Sequence, residues 1–596
     1  MKSFSRYCFL LAALMMVPFA VDGQDDQTVA RNIDTTRTDE KESKPAESAP
    51  KRTASIGSLT TRIGVYTAEP ISLSLDDAIR RALASNNDIE VARDDVRIQE
   101  TAVRSLQGFY DPVFTVTPTY NRNSTTGNQA TSDFSVNSNL GGFIRPGGGN
   151  YSFFFNNTRT ENRFSQAQVS NGQVSGGTSA IFLSTTGIRY TQPLLRNFSI
   201  DSTRRNLKIA RRRLEQSDAD FRRTTIETIA RVQNAYWDLV FALRDQQNRQ
   251  ANLDLSRENL RQVEARIAAG ASAPLAKAEV ETELANRESD LLIATQQVSV
   301  AENALKQLLL KDASNSEWTQ PYVPTDRPAF SADPINLDLA LKDAMDNRYE
   351  LERLKLARDI NTIDISYFRN QTRAQIDLNT TFSLDGLSQG GASTSAVQFP
   401  QFTGNDEILR TRMNELLGIE NLPLIPNPSL TVPGTPEFLA GGFGRSLRNL
   451  FRSDAPNYSI GVTISFPFRN RTAEANLAGA EITRNQIETQ TRVQEQQVIV
   501  EVRNAVQAVE TARQRVLAAR RARENAEIQL EGERRLFESG RSTSFLLFQR
   551  ENTLTNARNA EIRAETDYNK AIANLQRATS TTFERNNITV TSPVSN

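Results

Sequence analysis

The sequence contains no histidine, and its one cysteine, Cys8, lies close to the start of the chain. Imidazole bases, thiol nucleophiles, zinc–thiolate sites and intramolecular disulfides are thereby excluded. Charge of one sign is missing too. Seventy Lys and Arg balance 70 Asp and Glu, so no excess draws the chain to nucleic acid or to an anionic surface. Hydrophobic residues make up only 38% of 596, low for a compact globule of that length and suited to thin, solvated architecture. Beyond the N-terminus no stretch approaches 18 consecutive apolar residues. A membrane-spanning helix is therefore not expected, whereas a β-barrel, whose strands alternate, stays open. The remaining carboxylate pairs, Asp76–Asp77 and Asp94–Asp95, are adjacent on helical patterns and do not face each other. GGGN (147–150) lacks the lysine and helix of a phosphate loop and reads as a turn. No catalytic site, cofactor or metal is expected.

What is present begins with a targeting segment. Lys2 and Arg6 precede the apolar run FLLAALMMVPFA, and Val21 and Gly23 are small enough for a cleavage site, so 1–23 reads as a signal peptide that carries Cys8 away. A membrane anchor is the alternative, but the run is shorter than the roughly 20 residues needed to span. Residues 24–70, rich in Asp, Thr, Ser, Lys and Pro, read as a disordered leader.

From there the chain says the same thing twice. ISLSLDDAIRRALASNNDIEVARDDVRIQETAVRSL (71–106) has helical apolar spacing, with Ser74 or Asp76 as cap, and INLDLALKDAMDNRYELERLKLARDINTIDISYF (335–368) repeats it. Each runs into segments of period two. On these, Phe114, Val116 and Tyr120, then Ile188 and Tyr190, then Ile376, Leu378 and Phe382, then Ile460, Val462 and Ile464 form apolar faces. Arg189, Asp377 and Asn379 fall on the opposite, polar faces. Pro193 and Pro467 end the strand ladders, since proline cannot donate to a sheet. Two further alternating candidates, 133–140 and 151–157, either extend that sheet or form a separate hairpin. The insertions at about 123–182 and 387–455 have no assigned role, and the second is Gly- and Pro-rich.

Very long helices follow. Val502, Val509, Val516 and Leu530 recur in heptad register with Ala505, Ala512, Ala519 and Ala526; Val232, Leu239, Leu253 and Leu260 do so with Ala235 and Ala242. RIAAGASAPLAKAEVE (266–281) and LFESGRSTSFLLFQRE (536–551) interrupt the two patterns at matching points. Gly270 and Gly540 are suited to reverse antiparallel hairpins, because glycine tolerates the left-handed conformation that ends a helix. Each long arm spans on the order of 100 Å at about 1.5 Å per residue.

Four strands cannot close a barrel, and an open edge is not tolerated in lipid. Three copies supply about 12 strands, a closed ring with its polar faces toward water. A soluble sheet packed on helices and a periplasmic coiled-coil adaptor or envelope tether without a pore are the competing readings. The duplicated strand pairs with an apolar face count against the tether.

The ordered set, comprising LSLDDAIRRALASNNDIEVAR, the joint YTQPLL, the paired tips and the tandem duplication, resembles the TolC family of outer-membrane efflux proteins over nearly all of 71–580. The resemblance implies a mixed, predominantly helical fold: a trimeric outer-membrane β-barrel of about four strands per protomer, continued by a periplasmic α-helical coiled-coil barrel. With the signal peptide 1–23 and leader 24–70 read above, the chain divides into repeats 71–310 and 335–580 about a linker 311–334, and a flexible tail 581–596. The resemblance further implies a homotrimer in the outer membrane of a Gram-negative-type bacterium, contacting outer-membrane lipid, a periplasmic adaptor and an inner-membrane pump. The function implied is a passive conduit of a tripartite efflux or type I secretion system, gated by opening of the helical tips.

Family tips tend to read R-[YF]-x-x-G-x-x-[ST]-x-x-D-[VL]-L. The first tip here keeps Arg266 and Gly270, with Ala273 and Ala276 in place of the hydroxyl and acid. The second keeps Phe537, Gly540 and Thr543, with Leu536 and Leu546 in place of the arginine and acid. The resemblance makes these residues, with Ser272 and Ser542, the candidates for tip structure and adaptor docking. FLLF (545–548) suits either docking or packing between helices. It makes Arg189, Asp377 and Asn379 candidates for the pore lumen, the apolar strand residues above candidates for the lipid face, and Pro193 and Pro467 the barrel-to-helix joints.

Overall fold

A computed structural model describes Arg62, Val65 and residues 70–591, apart from 127–129, 171–172, 271–272 and 392–393. The signal segment, most of the leader, Ser272 and the last five residues thus lie outside the described residues. Each half opens with two consecutive helices, and in the first half side-chain oxygens fix both starts. Ser74 caps α1 (Leu75–Ser85) by accepting from Asp77 N, and Asn86 caps α2 (Asn87–Gln107) by accepting from Asp88 N and Ile89 N.

The first strand group follows: β2 (Val113–Asn123), β3 (Thr131–Phe143), β4 (Asn150–Ser170) and β5 (Gln173–Pro193), after the short β1 (Ile71–Leu73). Next come α3 (Ser202–Ala268), α4 (Leu275–Leu309) and β6 (Tyr322–Pro324). The second half repeats the order with α5 (Leu337–Asn347) and α6 (Tyr349–Gln371), then β7 (Gln375–Gln389) and β10 (Pro456–Ser465), then α9 (Arg471–Glu538) and α10 (Ser544–Ala578). Between β7 and β10 lie β8 (Val397–Pro400), α7 (Asn405–Ile419), β9 (Ser429–Val432) and α8 (Phe443–Leu450), and α11 (Thr582–Arg585) is the last helix among the described residues.

The sheet runs β10–β7–β5–β4–β3–β2, each neighbour antiparallel. Six strands stand where about four were expected. The extra pair is the hairpin of 131–143 and 150–170, between whose strands Gly147 and Gly148, with φ of 75° and 68°, let the chain reverse. The hairpin therefore slots between β2 and β5 in one continuous ladder.

The long arms bury the heptad residues expected of them. Val232, Leu239, Ala242 and Leu253 on α3, and Val502, Val509, Ala512, Val516 and Ala526 on α9, are buried. Partners on the shorter arms include Leu291, Val298 and Leu305 on α4, and Leu554, Tyr568 and Leu575 on α10. The long arms have 67 and 68 residues and the returning arms 35 each, so α2 and α6 lie along the remainder of the long ones. The two halves also share a joint. Asn86 Nδ2 donates to Leu308 O at the end of α4, and Arg348 donates to Ala578 O at the end of α10. Different side chains make the same tie.

Around β1 and β6, which pair in parallel, Leu73, Ile79, Tyr236, Trp237, Leu305 and Tyr322 form the largest apolar cluster. Arg62, inside the stretch read as a disordered leader, is buried against it: its guanidinium meets Glu302, which also holds Lys306 Nζ at 2.9 Å. The tail begins packed rather than flexible. Thr582 is fully buried, and Phe583 and Ile588 rest on the same cluster.

Candidate channel wall and hairpin tips

Alternation within a strand says which residues share that strand's face, and only register says which share the sheet's. Phe114 opposes Leu140, Leu140 opposes Phe153, Phe153 opposes Ile188, Ile188 opposes Phe382, and Phe382 opposes Tyr458. One unbroken apolar row therefore crosses all six strands. Neighbouring rungs bring Tyr190 beside Thr380 and Ile460, and place Leu378 opposite Val462 and Ile376 opposite Ile464. Val116 and Tyr120 share the face through β2. All the residues named above as apolar strand positions thus fall on a single face. They are not packed under helices: Tyr458 is 81% and Ile460 73% exposed in the single chain.

The opposite face is largely polar near the shaft, with Phe154 under Arg189 and Leu183 opposite Leu387 as its apolar members. Arg189 pairs with Ser152 and Thr381, and Thr381 with Ser459. Thr191 Oγ1 donates to Asn379 Oδ1 at 3.0 Å, and Asn379 Nδ2 to Thr463 Oγ1 at 2.9 Å, a hydroxyl–amide ladder across three strands. Asp377, two residues along, accepts from Gln375 Nε2 at 2.6 Å. The structure brings Arg189, Asp377 and Asn379 into one patch of this face. Pro193 closes β5 opposite Asp377, and Pro467 follows the last residue of β10 by two.

At the far ends of the arms both turns are glycine-centred. Gly270 has φ of 73° and Gly540 of 75°, and nothing lies within 4 Å of a Cβ added to either, so backbone conformation and not packing demands the glycine. Thr543 caps α10, accepting from Leu546 N, and Ser542 Oγ donates to the Glu533 carboxylate. Within FLLF, Leu547 is buried while Phe545 and Leu546 are exposed, so the run divides between packing and free surface. The two tips touch: the Arg266 guanidinium lies 4.8 Å from the centre of the Phe537 ring.

That contact ends a seam the sequence reading missed. Within each hairpin the arms meet through apolar residues, but α3 meets α10 of the other hairpin through polar ones. Asp238 accepts from Lys570 Nζ at 2.6 Å, Asp245 from Asn559 Nδ2 at 2.6 Å, and Asn252 from Thr555 Oγ1 at 3.0 Å. Asn259 lies beside Glu551, whose carboxyl is pushed up to about 7 chiefly by burial, against the opposing pull of Arg287 and Arg534. The signal was in the sequence: Asp238, Asp245, Asn252, Asn259 and Arg266 recur at seven, a polar stripe in phase with the apolar one.

The outer membrane efflux protein profile matches residues 156–309 and 433–581, just over half of the chain. The chain belongs to the outer membrane efflux protein family, whose members are passive channels and not enzymes. No curated protein matches it. Among solved structures it is similar to a membrane protein from Pseudomonas aeruginosa, at 17% identity and a TM-score of 0.54, covering 85% of this chain and 90% of that one. It is also similar to the CmeC outer membrane channel of Campylobacter jejuni, at 13% identity and 0.54, covering 87% and 90%. The open-state MtrE outer membrane channel of Neisseria gonorrhoeae gives 16% and 0.53, covering 85% and 88%. At these identities the likeness is one of fold, and it extends over strands and helices together.

Proposed function

We propose that three copies of this chain form an outer-membrane channel that conducts passively from the periplasm to the exterior of a Gram-negative-type cell. The observation that carries the reading is the apolar row across all six strands, backed by a polar face and flanked by two open edges, β2 and β10. An open edge in lipid leaves backbone groups unpaired, so the sheet needs partners on both sides. β2 leaves the helical end and β10 returns to it, so β10 of one protomer lies antiparallel to β2 of the next. Three protomers then close about 18 strands rather than 12, a barrel about half again as wide. Arg189, Asp377 and Asn379 face its water and Phe114, Ile188, Phe382 and Ile460 its lipid, with Pro193 and Pro467 at the joints to the shaft.

The repeated element order supports a tandem duplication, 71–310 and 335–580. The shaft lies in the periplasm, and its tips, with Arg266, Gly270, Ser272, Phe537, Gly540, Ser542 and Thr543, meet an adaptor and a pump in a tripartite efflux or type I secretion system. Opening separates the hairpins along the mainly polar α3–α10 seam, where the Arg266–Phe537 and Arg563–Phe241 contacts are the aromatic ones to be parted. The test uses the absence of other cysteines once Cys8 is removed. Cysteines scanned in pairs between Thr115–Thr119 and Ser459–Thr463 are oxidised in outer-membrane fractions. Covalent ladders stopping at three chains are expected. Bridges that form only within one chain, or none at any register, reject the closed trimer.

A further inference from the structure

The insertion between β7 and β10 returns a short helix onto the sheet, and it does so on the apolar face. Ser446 Oγ of α8 donates to Gly386 O at 2.8 Å and lies 2.7 Å from Ser184 Oγ, whose hydroxyl can donate to it, and Ser388 Oγ donates to Gly442 O at 3.0 Å. Ser184, Gly386 and Ser388 continue the side of the sheet that carries Ile188, Phe382 and Leu384. Gly386 is required there, because a Cβ would stand 2.2 Å from Ser446 O. Asn449 Nδ2 fixes the other side of the helix by donating to Leu387 O at 2.8 Å and Phe438 O at 2.6 Å.

The height of this helix follows from the strand. From Ile376 to Leu384 the apolar side of β7 runs about 26 Å at ~3.3 Å per residue, or about 20 Å of height at a ~40° tilt, close to the apolar band of a membrane barrel. Gly386 and Ser388 come next, away from the shaft, and α8 covers them. The helix therefore lies at the outer rim of the apolar band. Its remaining surface is basic and aromatic: Phe443, Arg448, Phe451 and Arg452 are exposed. Arg445 donates to Ala440 O, and Arg452 lies over Phe438 and pairs with Asp454 at 3.4 Å. Arg448 has no side-chain partner among the described residues. Aromatic rings beside cations at this level are the composition of a membrane-interface element.

We infer that α8 is a collar that binds the phosphates of outer-leaflet lipid, with Arg448 and Arg452 as the phosphate-binding cations and Phe443 and Phe451 set among the acyl chains. The inference rests on the barrel reading above. The test takes the full chain in nonionic detergent and titrates it with bis-phosphorylated lipid A and with the dephosphorylated form, read by native mass spectrometry. Arg448→Gln with Arg452→Gln should weaken binding of the phosphorylated form roughly tenfold, whereas the paired lysine substitutions should keep most of it. Equal binding by the native chain and the glutamine variant, or no preference for the phosphorylated form, overturns the collar. Extraction from outer-membrane fractions separates the two readings. If detergent is needed and the variants bind alike, the collar alone fails; if salt alone releases the chain, the barrel fails and the collar with it.

Discussion

The sheet and the helical shaft use apolar residues in opposite ways. Along α3 and α9 the heptad residues are buried, Leu239 and Val502 completely, while charged residues cover the outside. Across the sheet Phe114, Phe382, Tyr458 and Ile460 are all exposed on one side, and no helix of the shaft covers them. One chain thus follows the rule for water in one region and breaks it in the other. The difference teaches what surrounds each part: an apolar row of six strands left bare suits a surrounding of hydrocarbon.

The strongest way to break the comparison is to put a charge on each face of the same strand. Phe382→Arg should cost about 2–4 kcal/mol at mid-membrane depth and deplete the chain from outer-membrane fractions, whereas Thr381→Arg, one residue along and facing the polar side, should insert normally. Equal insertion of the two would remove the distinction between the faces. In the shaft the rule reverses, and cavities matter more than charge. Leu239→Ala should lose about 2–5 kcal/mol and lower the midpoint of thermal unfolding followed by helical circular dichroism, with insertion unaffected if the sheet forms.

Glycines sharpen the comparison within the shaft itself. Gly540→Ala, at a positive φ, should destabilise by about 1–2 kcal/mol. Gly532→Ala, in the interior of α9 with nothing near its Cβ, should stabilise by about 0.5–1 kcal/mol. Opposite signs in denaturant titrations are the expected result. The smallest effect is one of pH. Because the folded carboxyl of Glu551 titrates near 7, above its ordinary value, the folded tip takes up a proton that the unfolded chain does not hold. Tip stability should therefore fall as pH rises from about 5 to 7 and level off above, read as faster amide exchange around 533–555. Glu551→Gln should flatten that slope, and an unchanged slope would assign it to another group.

Much of this architecture was legible because periodicity is local. Period two marked the strands, period seven the shaft, and Gly270 and Gly540 the reversals. Register is not local, which is why the β3–β4 hairpin could not be placed: 133–140 alternates equally well inside the main sheet or outside it. The leader shows the same limit. Arg62 sits in a polar, disorder-like composition, and only its distant partner Glu302 reveals that it is anchored. The polar stripe Asp238–Asp245–Asn252–Asn259–Arg266 was readable but lay hidden behind the apolar stripe on the same helix. The roles of the tip residues rest on resemblance, since Ala273, Ala276, Leu536 and Leu546 depart from the family pattern where its charges would be.

The central claim, that this chain closes into a membrane-spanning tube, is tested most directly by extracting the outer-membrane fraction, sizing the protein and recording single channels in a planar bilayer. The account predicts a trimer that needs detergent to leave the membrane and conducts in discrete steps, larger when Arg266→Ala loosens the tips. A monomer or dimer soluble in water, with no conductance, would contradict it.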